Sequence, residues 1–116
     1  MPTLTEGRHT AEFLLSEANG HRSRDTVVLS STAAALAAGT VLGKQTVGGE
    51  YVAYDETGTD DGRRVAAGIL YANAADSAAD QKVVVIVRDA EVKGDALTGI
   101  DANGIADLKA LGIIVR

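Results

Sequence analysis

Residues 36–92 read LAAGTVLGKQTVGGEYVAYDETGTDDGRRVAAGILYANAADSAADQKVVVIVRDAEV, and the fold follows from this stretch. Four apolar runs of strand length alternate in it with turns: residues 40–42, 51–54, 65–72 and 83–87. The runs are β-branched or aromatic, which favours strands, and Gly, Asp or Asn flanks each of them, which favours turns. The stretch therefore predicts a compact, mainly β domain.

Two of these runs, residues 65–72 and 83–87, are apolar on both faces. In the first, Val65, Ile69 and Tyr71 lie on one face, and Leu70 lies with alanines on the other. The sheet of a small β domain normally exposes one face to water and shows polar alternation there. Burial of both faces predicts a closed, barrel-like sheet wrapped by other segments, or a face packed against another subunit. We expect both.

The flanking segments supply further elements. Residues 26–29 predict the first strand of the folded part, residues 113–115 predict the last, and Gly48-Gly49 predicts a tight hairpin. Residues 104–111 have helical spacing of apolar side chains, with Asp101 or Asn103 as the N-cap. Residues 30–39 fit either a short Ala-rich helical turn or a packed connector.

Residues 1–25 differ in kind from the rest, because their one apolar cluster is residues 13–15. Such a segment buries little, so we expect a flexible N-terminal arm (1–25) before a single domain (26–116). Two interpretations of Phe13 remain open. Its side chain packs in the chain's own core, or the arm becomes ordered on a partner, for example by adding a strand to an exposed sheet edge. We favour the second, because Phe13 is the only Phe and lies outside the predicted β domain.

Composition excludes several classes of protein. The net charge of −5 and the scattered basic residues argue against a nucleic-acid partner. The absence of cysteine excludes disulfide scaffolds and thiolate metal sites. No secretion signal and no apolar run long enough to span a membrane is recognisable, so we expect a soluble protein made in the cytoplasm. A core with only four aromatic residues buries modest area, which favours association with further copies.

No residue pattern predicts catalysis, a metal site or a cofactor. Asp55, Glu56, Asp60 and Asp61 share one loop, but their spacing does not match a calcium-binding EF-hand, and a solvated hairpin loop is the better interpretation. The two histidines, at positions 9 and 21, fall in the arm, so the folded part has neither histidine nor cysteine to act as base or nucleophile. No phosphate-binding glycine pattern occurs. We therefore expect a non-enzyme without a small-molecule substrate.

The sequence resembles the head decoration proteins of lambda-like tailed phages and prophages. The order and spacing of several stretches carry this resemblance along nearly the whole chain. They are HTAEFLLSEANG (residues 9–20), LAAGTVLGK (36–44), YVAYD (51–55), AAGILYA (66–72), AADQKVVVIVRDAEV (78–92) and LKALGIIVR (108–116).

The resemblance implies a fold, partners and a location. It implies a compact, mainly β (α+β) domain of the β-tulip type with one short C-terminal helix, and a homotrimer on the outside of the expanded capsid. There it would clamp neighbouring major capsid protein subunits at three-fold sites against the pressure of packaged DNA. It also implies an arm that is loose in the free protein and orders against the coat protein. The residues to which it transfers this capsid-docking role are Thr10, Ala11, Glu12, Phe13, Leu14, Leu15 and Ser16.

These expectations define two functional hypotheses. The first is a capsid-stabilising decoration protein that is found on the virion exterior and passes through the host cytoplasm during assembly. The alternative is a small β binding or assembly module of another multi-subunit complex, such as a tail or a secretion apparatus.

Overall fold

A computed structural model describes residues 9–18, 20, 22–30 and 35–116, which form eight strands and one α-helix. The elements in chain order are β1 (Leu14–Glu17), β2 (Arg24–Leu29), β3 (Val41–Lys44), β4 (Tyr51–Ala53), β5 (Ala66–Leu70), β6 (Gln81–Ile86), β7 (Ala90–Val92), α1 (Ala102–Ala110) and β8 (Ile113–Val115). A short 3-10 helix, Gly94–Ala96, links β7 to the segment before α1. The predicted mainly β fold with one short C-terminal helix is confirmed.

Five strands close into a barrel in the order β2-β4-β3-β5-β6, and β6 pairs back with β2. The β2–β6 pairing is antiparallel over the full length of both strands, whereas β2 meets β4 in parallel only at Leu29 and Tyr51. The predicted hairpin joins β3 to β4. Gly48 and Gly49 both have positive φ, +84° and +70°, a conformation that glycine adopts without steric cost.

A second, three-stranded sheet lies against the outside of the barrel in the order β1-β7-β8. β1 pairs antiparallel with β7, and β7 pairs in parallel with β8. This small sheet therefore joins the N-terminal part of the described chain to its C-terminal strand. Its middle strand, β7, was not among the predicted strands.

The core has two parts, which explains why β5 and β6 are apolar on both faces. Side chains from all five barrel strands fill the barrel interior: Leu29, Leu42, Tyr51, Leu70 and Val85. Val41, Ile69 and Ile86, their neighbours along β3, β5 and β6, point outward from the barrel. They form a second cluster with side chains of the small sheet region and α1, namely Phe13, Val92, Leu108 and Ile113. The prediction of a closed barrel wrapped by other segments is thus confirmed. Burial of these faces against another subunit is not required to explain the pattern.

The helix is anchored to the barrel by two carboxylates. Asp101 is the N-cap, and its Oδ1 accepts hydrogen bonds from the Gly104 amide (2.7 Å) and from the Tyr54 hydroxyl (2.8 Å). Asp107 Oδ2 accepts a hydrogen bond from the Ala66 amide at 3.0 Å. Of the two predicted caps, Asp101 is the one used.

The linker before β3 lies partly outside the described residues, because residues 31–34 are not described. Residues 35–40 contain no helix and form two isolated bridges, Leu36 with Ala74 and Thr40 with Thr98. Of the two alternatives for residues 30–39, the described part therefore has the packed connector.

Candidate interaction surface

The acidic loop between β4 and β5 does not gather its carboxylates around one point. Asp61 binds Arg63 (2.8 Å), and this pairing lowers the pKa of the Asp61 carboxyl. Asp55 accepts a hydrogen bond from the Thr57 amide, and Glu56 accepts one from Asn103. Among the described residues, no group of three or more Asp, Glu, His or Cys side chains is placed to hold a metal ion.

Three concave surfaces of the described chain are not lined by both acidic and basic side chains. A groove of about 340 Å³ runs between Thr10 and the barrel, and Lys82 is the one charged residue among its lining. His9 is exposed, and His21 lies outside the described residues. No helix in the described part of the chain is long and apolar enough to cross a membrane.

Phe13 lies in the chain's own core, with 0% of its surface exposed. It packs in the cluster between the barrel and the small sheet, and its carbonyl accepts a hydrogen bond of 2.7 Å from the Lys93 amide. The favoured expectation that Phe13 lies outside the folded domain is therefore wrong. The reason is that distant parts of the chain, around Gly39 and Val92, complete an apolar site that the local sequence does not reveal.

The structure separates the other six predicted docking residues by face. Leu14 points inward and packs against the core, while Leu15 is 53% exposed. The remaining residues are outward or half-buried: Thr10, Ala11, Glu12 and Ser16. Leu14 and Leu15 face opposite sides because successive strand residues alternate. Ser16 is exposed as well, because the register of β1 on β7 shifts between Leu14 and Ser16, as in a β-bulge.

We call the solvent side of the small sheet the outer face, comprising Leu15, Ser16, Glu91, Ile114 and Arg116. Glu91 lies at its centre on β7, directly opposite Ser16 on one side and Ile114 on the other. It accepts hydrogen bonds from Ser16 Oγ (2.9 Å) and from Arg116 Nη2 (2.6 Å). These two donors lower the pKa of the Glu91 carboxyl, with Arg116 the larger influence. The outer face therefore combines two exposed apolar side chains with an internally paired charge.

A polar cluster fixes the end of β1 to β2 and β5. Ser23 is fully buried, and both Ser23 Oγ and the Arg24 guanidinium donate hydrogen bonds to the Glu17 carboxylate. Arg24 also lies over the ring of Tyr71, with 4.3 Å from its Cζ to the ring centroid. The Glu17 hydrogen bond raises the pKa of Arg24. The Tyr71 carbonyl in turn accepts a hydrogen bond from the Ala11 amide at 2.8 Å.

Two exposed apolar side chains lie elsewhere. Val47, at the tip of the β3–β4 hairpin, is 87% exposed, and Val65, just before β5, is 57% exposed. The prediction that Val65 lies on a buried strand face is wrong, because β5 begins at Ala66 and Val65 lies in the bend before it. The one sequence signal for the exposure of Val47 is its position beside Gly48-Gly49, since glycine pairs of this kind occur at exposed hairpin tips.

One comparison with known proteins identifies a relative. The family model for bacteriophage lambda head decoration protein D matches residues 3–113, nearly the whole chain. The match includes the barrel, β1, β7 and the first residue of β8. No individually curated protein matches the chain.

Proposed function

Because the chain belongs to the bacteriophage lambda head decoration protein family, whose members are structural capsid proteins, we propose that it stabilises a phage head from the outside. It binds as a homotrimer at the three-fold and local three-fold sites of the expanded capsid and holds neighbouring major capsid protein subunits together. Its working location is the exterior of the virion, which it reaches from the host cytoplasm during assembly. The observation that carries this proposal is the family match over residues 3–113.

The outer face supports a contact with the coat protein. Leu15, on the edge strand β1 that carries predicted docking residues, and Ile114, on β8, are exposed apolar side chains on either side of β7. Glu91, between them, is paired by Ser16 and Arg116, so burying it does not leave an isolated charge. Within residues 10–16, we assign the contact to the exposed side chains, led by Leu15, and we assign Phe13 to holding the strand in place.

Trimerisation is supported by the family and by the apolar side chains that the barrel leaves exposed. Val28, on β2, and Val65, just before β5, are exposed and lie outside both core clusters. A trimer places three copies of each docking surface on one rigid body, so that the second and third contacts form at high effective concentration. Three individually weak contacts then give firm attachment without any chemical reaction.

Two measurements on the wild-type protein test this function. Sedimentation equilibrium should give a mass about three times the 11.9 kDa of the chain. Co-sedimentation with expanded, undecorated shells of the parent phage should saturate at about one trimer per three-fold site. A monomer in solution, or no binding to properly expanded shells, would contradict the proposal and favour an assembly role in another complex.

A single substitution tests the contact surface more cleanly than truncation. Removing residues 1–15 would also remove Phe13 from the core, so loss of binding would not identify a contact. We expect Leu15→Asp to weaken shell binding at least ten-fold, because it places a charge in an apolar contact, while leaving the trimer intact. Val47→Asp, an exposed apolar residue away from the outer face, is the matched control and should bind shells as the wild type does. Equal loss in both variants would refute the assignment to the outer face.

A further inference from the structure

The polar cluster at the end of β1 lies beside the core between the barrel and the small sheet, against which Tyr71 packs, and it is well enclosed. The Glu17 and Arg24 side chains are 15% and 24% exposed, and Ser23 is fully buried. A bidentate Arg–carboxylate pair is stronger and geometrically more specific than an ordinary surface ion pair. Stacking of Arg24 on Tyr71 connects this pair to the end of β5. The cluster therefore holds three separate segments of the chain in one arrangement.

We propose that Glu17, Arg24 and Tyr71 are positioning residues that hold β1 on the domain before it meets the coat protein. Phe13 fastens the start of the strand from inside, and Glu17 fastens its end from the side. Between them, Leu15 is presented outward on a strand that is already formed. This inference rests on the proposed function, since it takes β1 as part of the surface that meets the shell.

The consequence is that shell binding does not require residues 13–17 to fold at that moment. A segment that orders only on its partner loses binding free energy to its own ordering. A strand already held in place avoids that loss, and the fraction of molecules ready to bind is close to one. Weakening the cluster would lower this fraction without removing any side chain from the outer face.

Amide hydrogen exchange tests whether the cluster holds the strand. The Ala18 amide donates to the Asp89 carbonyl and the Lys93 amide donates to the Phe13 carbonyl, so both report on the docking of β1. Glu17→Gln should raise the opening constant of these two amides by about ten-fold or more, the scale of losing a hydrogen bond to a charged group. The Tyr54 amide, bonded to the Val41 carbonyl inside the barrel, should not change.

Two further variants separate positioning from general destabilisation. Arg24→Lys keeps the charge but loses the planar guanidinium, which donates two hydrogen bonds to Glu17. It should therefore raise the opening constants of the Ala18 and Lys93 amides less than Arg24→Gln does. Glu50→Gln, which removes a carboxylate from the β3–β4 turn, is the matched control and should leave Ala18 and Lys93 unchanged. No rise at these amides in Glu17→Gln, or an equal rise at Tyr54, would overturn the positioning role.

A disulfide lock tests whether the docked strand is the form that binds. Leu14 and Val92 are directly opposed, and the neighbouring Lys93–Phe13 hydrogen bond makes them a closely spaced non-hydrogen-bonded pair, within reach of a disulfide. The chain has no cysteine, so Leu14→Cys/Val92→Cys would introduce the only two thiols. Neither side chain belongs to the outer face.

Oxidised and reduced forms of this double variant are compared on the same shells. Equal binding supports a preformed strand. Binding by the reduced form alone would show that β1 must leave the sheet to dock, and would overturn the inference. Binding of wild-type protein to the same shells tests the proposed function separately, so the two failures are distinguishable.

Discussion

The barrel and the small sheet are held together by different kinds of contact. The barrel is built from segments that follow one another in the chain, and each of its strands contributes to the interior cluster. The small sheet joins β1 to strands near the other end of the chain, with Leu14 opposite Val92 and Ala90 opposite Ile113. Its own strands have three or four residues each, so it depends on the barrel beneath it. Phe13 links the two regions, because its side chain packs between them and it directly precedes β1, which carries Leu15 of the proposed docking surface.

The largest loss of stability should come from removing the Phe13 side chain. We expect Phe13→Ala to lower the free energy of unfolding by about 3–5 kcal/mol, because it leaves a cavity between the barrel and the small sheet that neither can fill. Chemical denaturation measured by circular dichroism would give this value. Leu15→Ala, on the same strand but facing outward, is the control and should change stability by less than about 0.5 kcal/mol. Equal effects in the two variants would mean that Phe13 is not part of the core in solution.

A smaller loss should come from crowding the barrel alone. A Cβ on Gly68 would lie 2.5 Å from Val85 Cγ1 and 2.9 Å from the Ile86 carbonyl oxygen, because β5 and β6 approach closely there. We expect Gly68→Ala to cost about 1–3 kcal/mol, the range for overpacking a core. Amide exchange should show faster opening in β5 and β6. An unchanged unfolding curve would contradict the close approach of these strands.

The link between the barrel and α1 should be sensitive to acid. Hydrogen bonds from the Gly104 amide and the Tyr54 hydroxyl lower the pKa of Asp101 in the folded state. Because the pKa of Asp101 is lower in the folded than in the unfolded state, its ionised carboxylate stabilises the fold at pH values above the unfolded-state pKa of about 3.9. This stabilisation is lost as the pH falls through the folded-state pKa. Asp101→Asn should therefore lower the melting temperature at pH 7 and flatten its fall below pH 4. Parallel pH profiles for wild type and variant would refute the link.

The smallest effect on stability should come from the outer face. The Glu91 side chain is 38% exposed, so the Arg116 contact that lowers its pKa is screened by solvent and salt. We expect Arg116→Ala to leave the thermal unfolding curve unchanged within error and to weaken shell binding, because Glu91 would then be buried with one partner fewer. A clear loss of thermal stability would assign the outer face to the fold rather than to docking.

Sequence patterns predicted the barrel better than the small sheet. The barrel strands coincide with predicted apolar runs between turn residues, so local pattern and tertiary structure agree, although β5 has Ile69 as its one β-branched residue. The helix begins at a predicted cap for the same reason. β7 was missed because only Ala90 and Val92 mark it, and a strand of three residues between β6 and the 3-10 helix has no periodicity to detect.

The burial of Phe13 was missed for a different reason. The polar composition of residues 1–25 predicted a segment that buries little, and it gave no information on where the one Phe ring lies. Its site is formed by residues 26 or more positions further along the chain, including Gly39 and Val92. Contacts of such sequence separation are invisible to patterns read in a short window. Phe13 and Ile69, which faces outward from the barrel on β5, therefore pack in the same cluster.

The central claim is that the domain meets the coat protein through the outer face while Phe13 stays in its core. A cryo-electron microscopy reconstruction of expanded shells saturated with this protein tests it most directly. We expect a trimer at each three-fold site, with Leu15 and Ile114 against the coat and the Phe13 side chain still between the barrel and the small sheet. A trimer attached through the β3–β4 hairpin tip, or a β1 strand detached from β7, would contradict it.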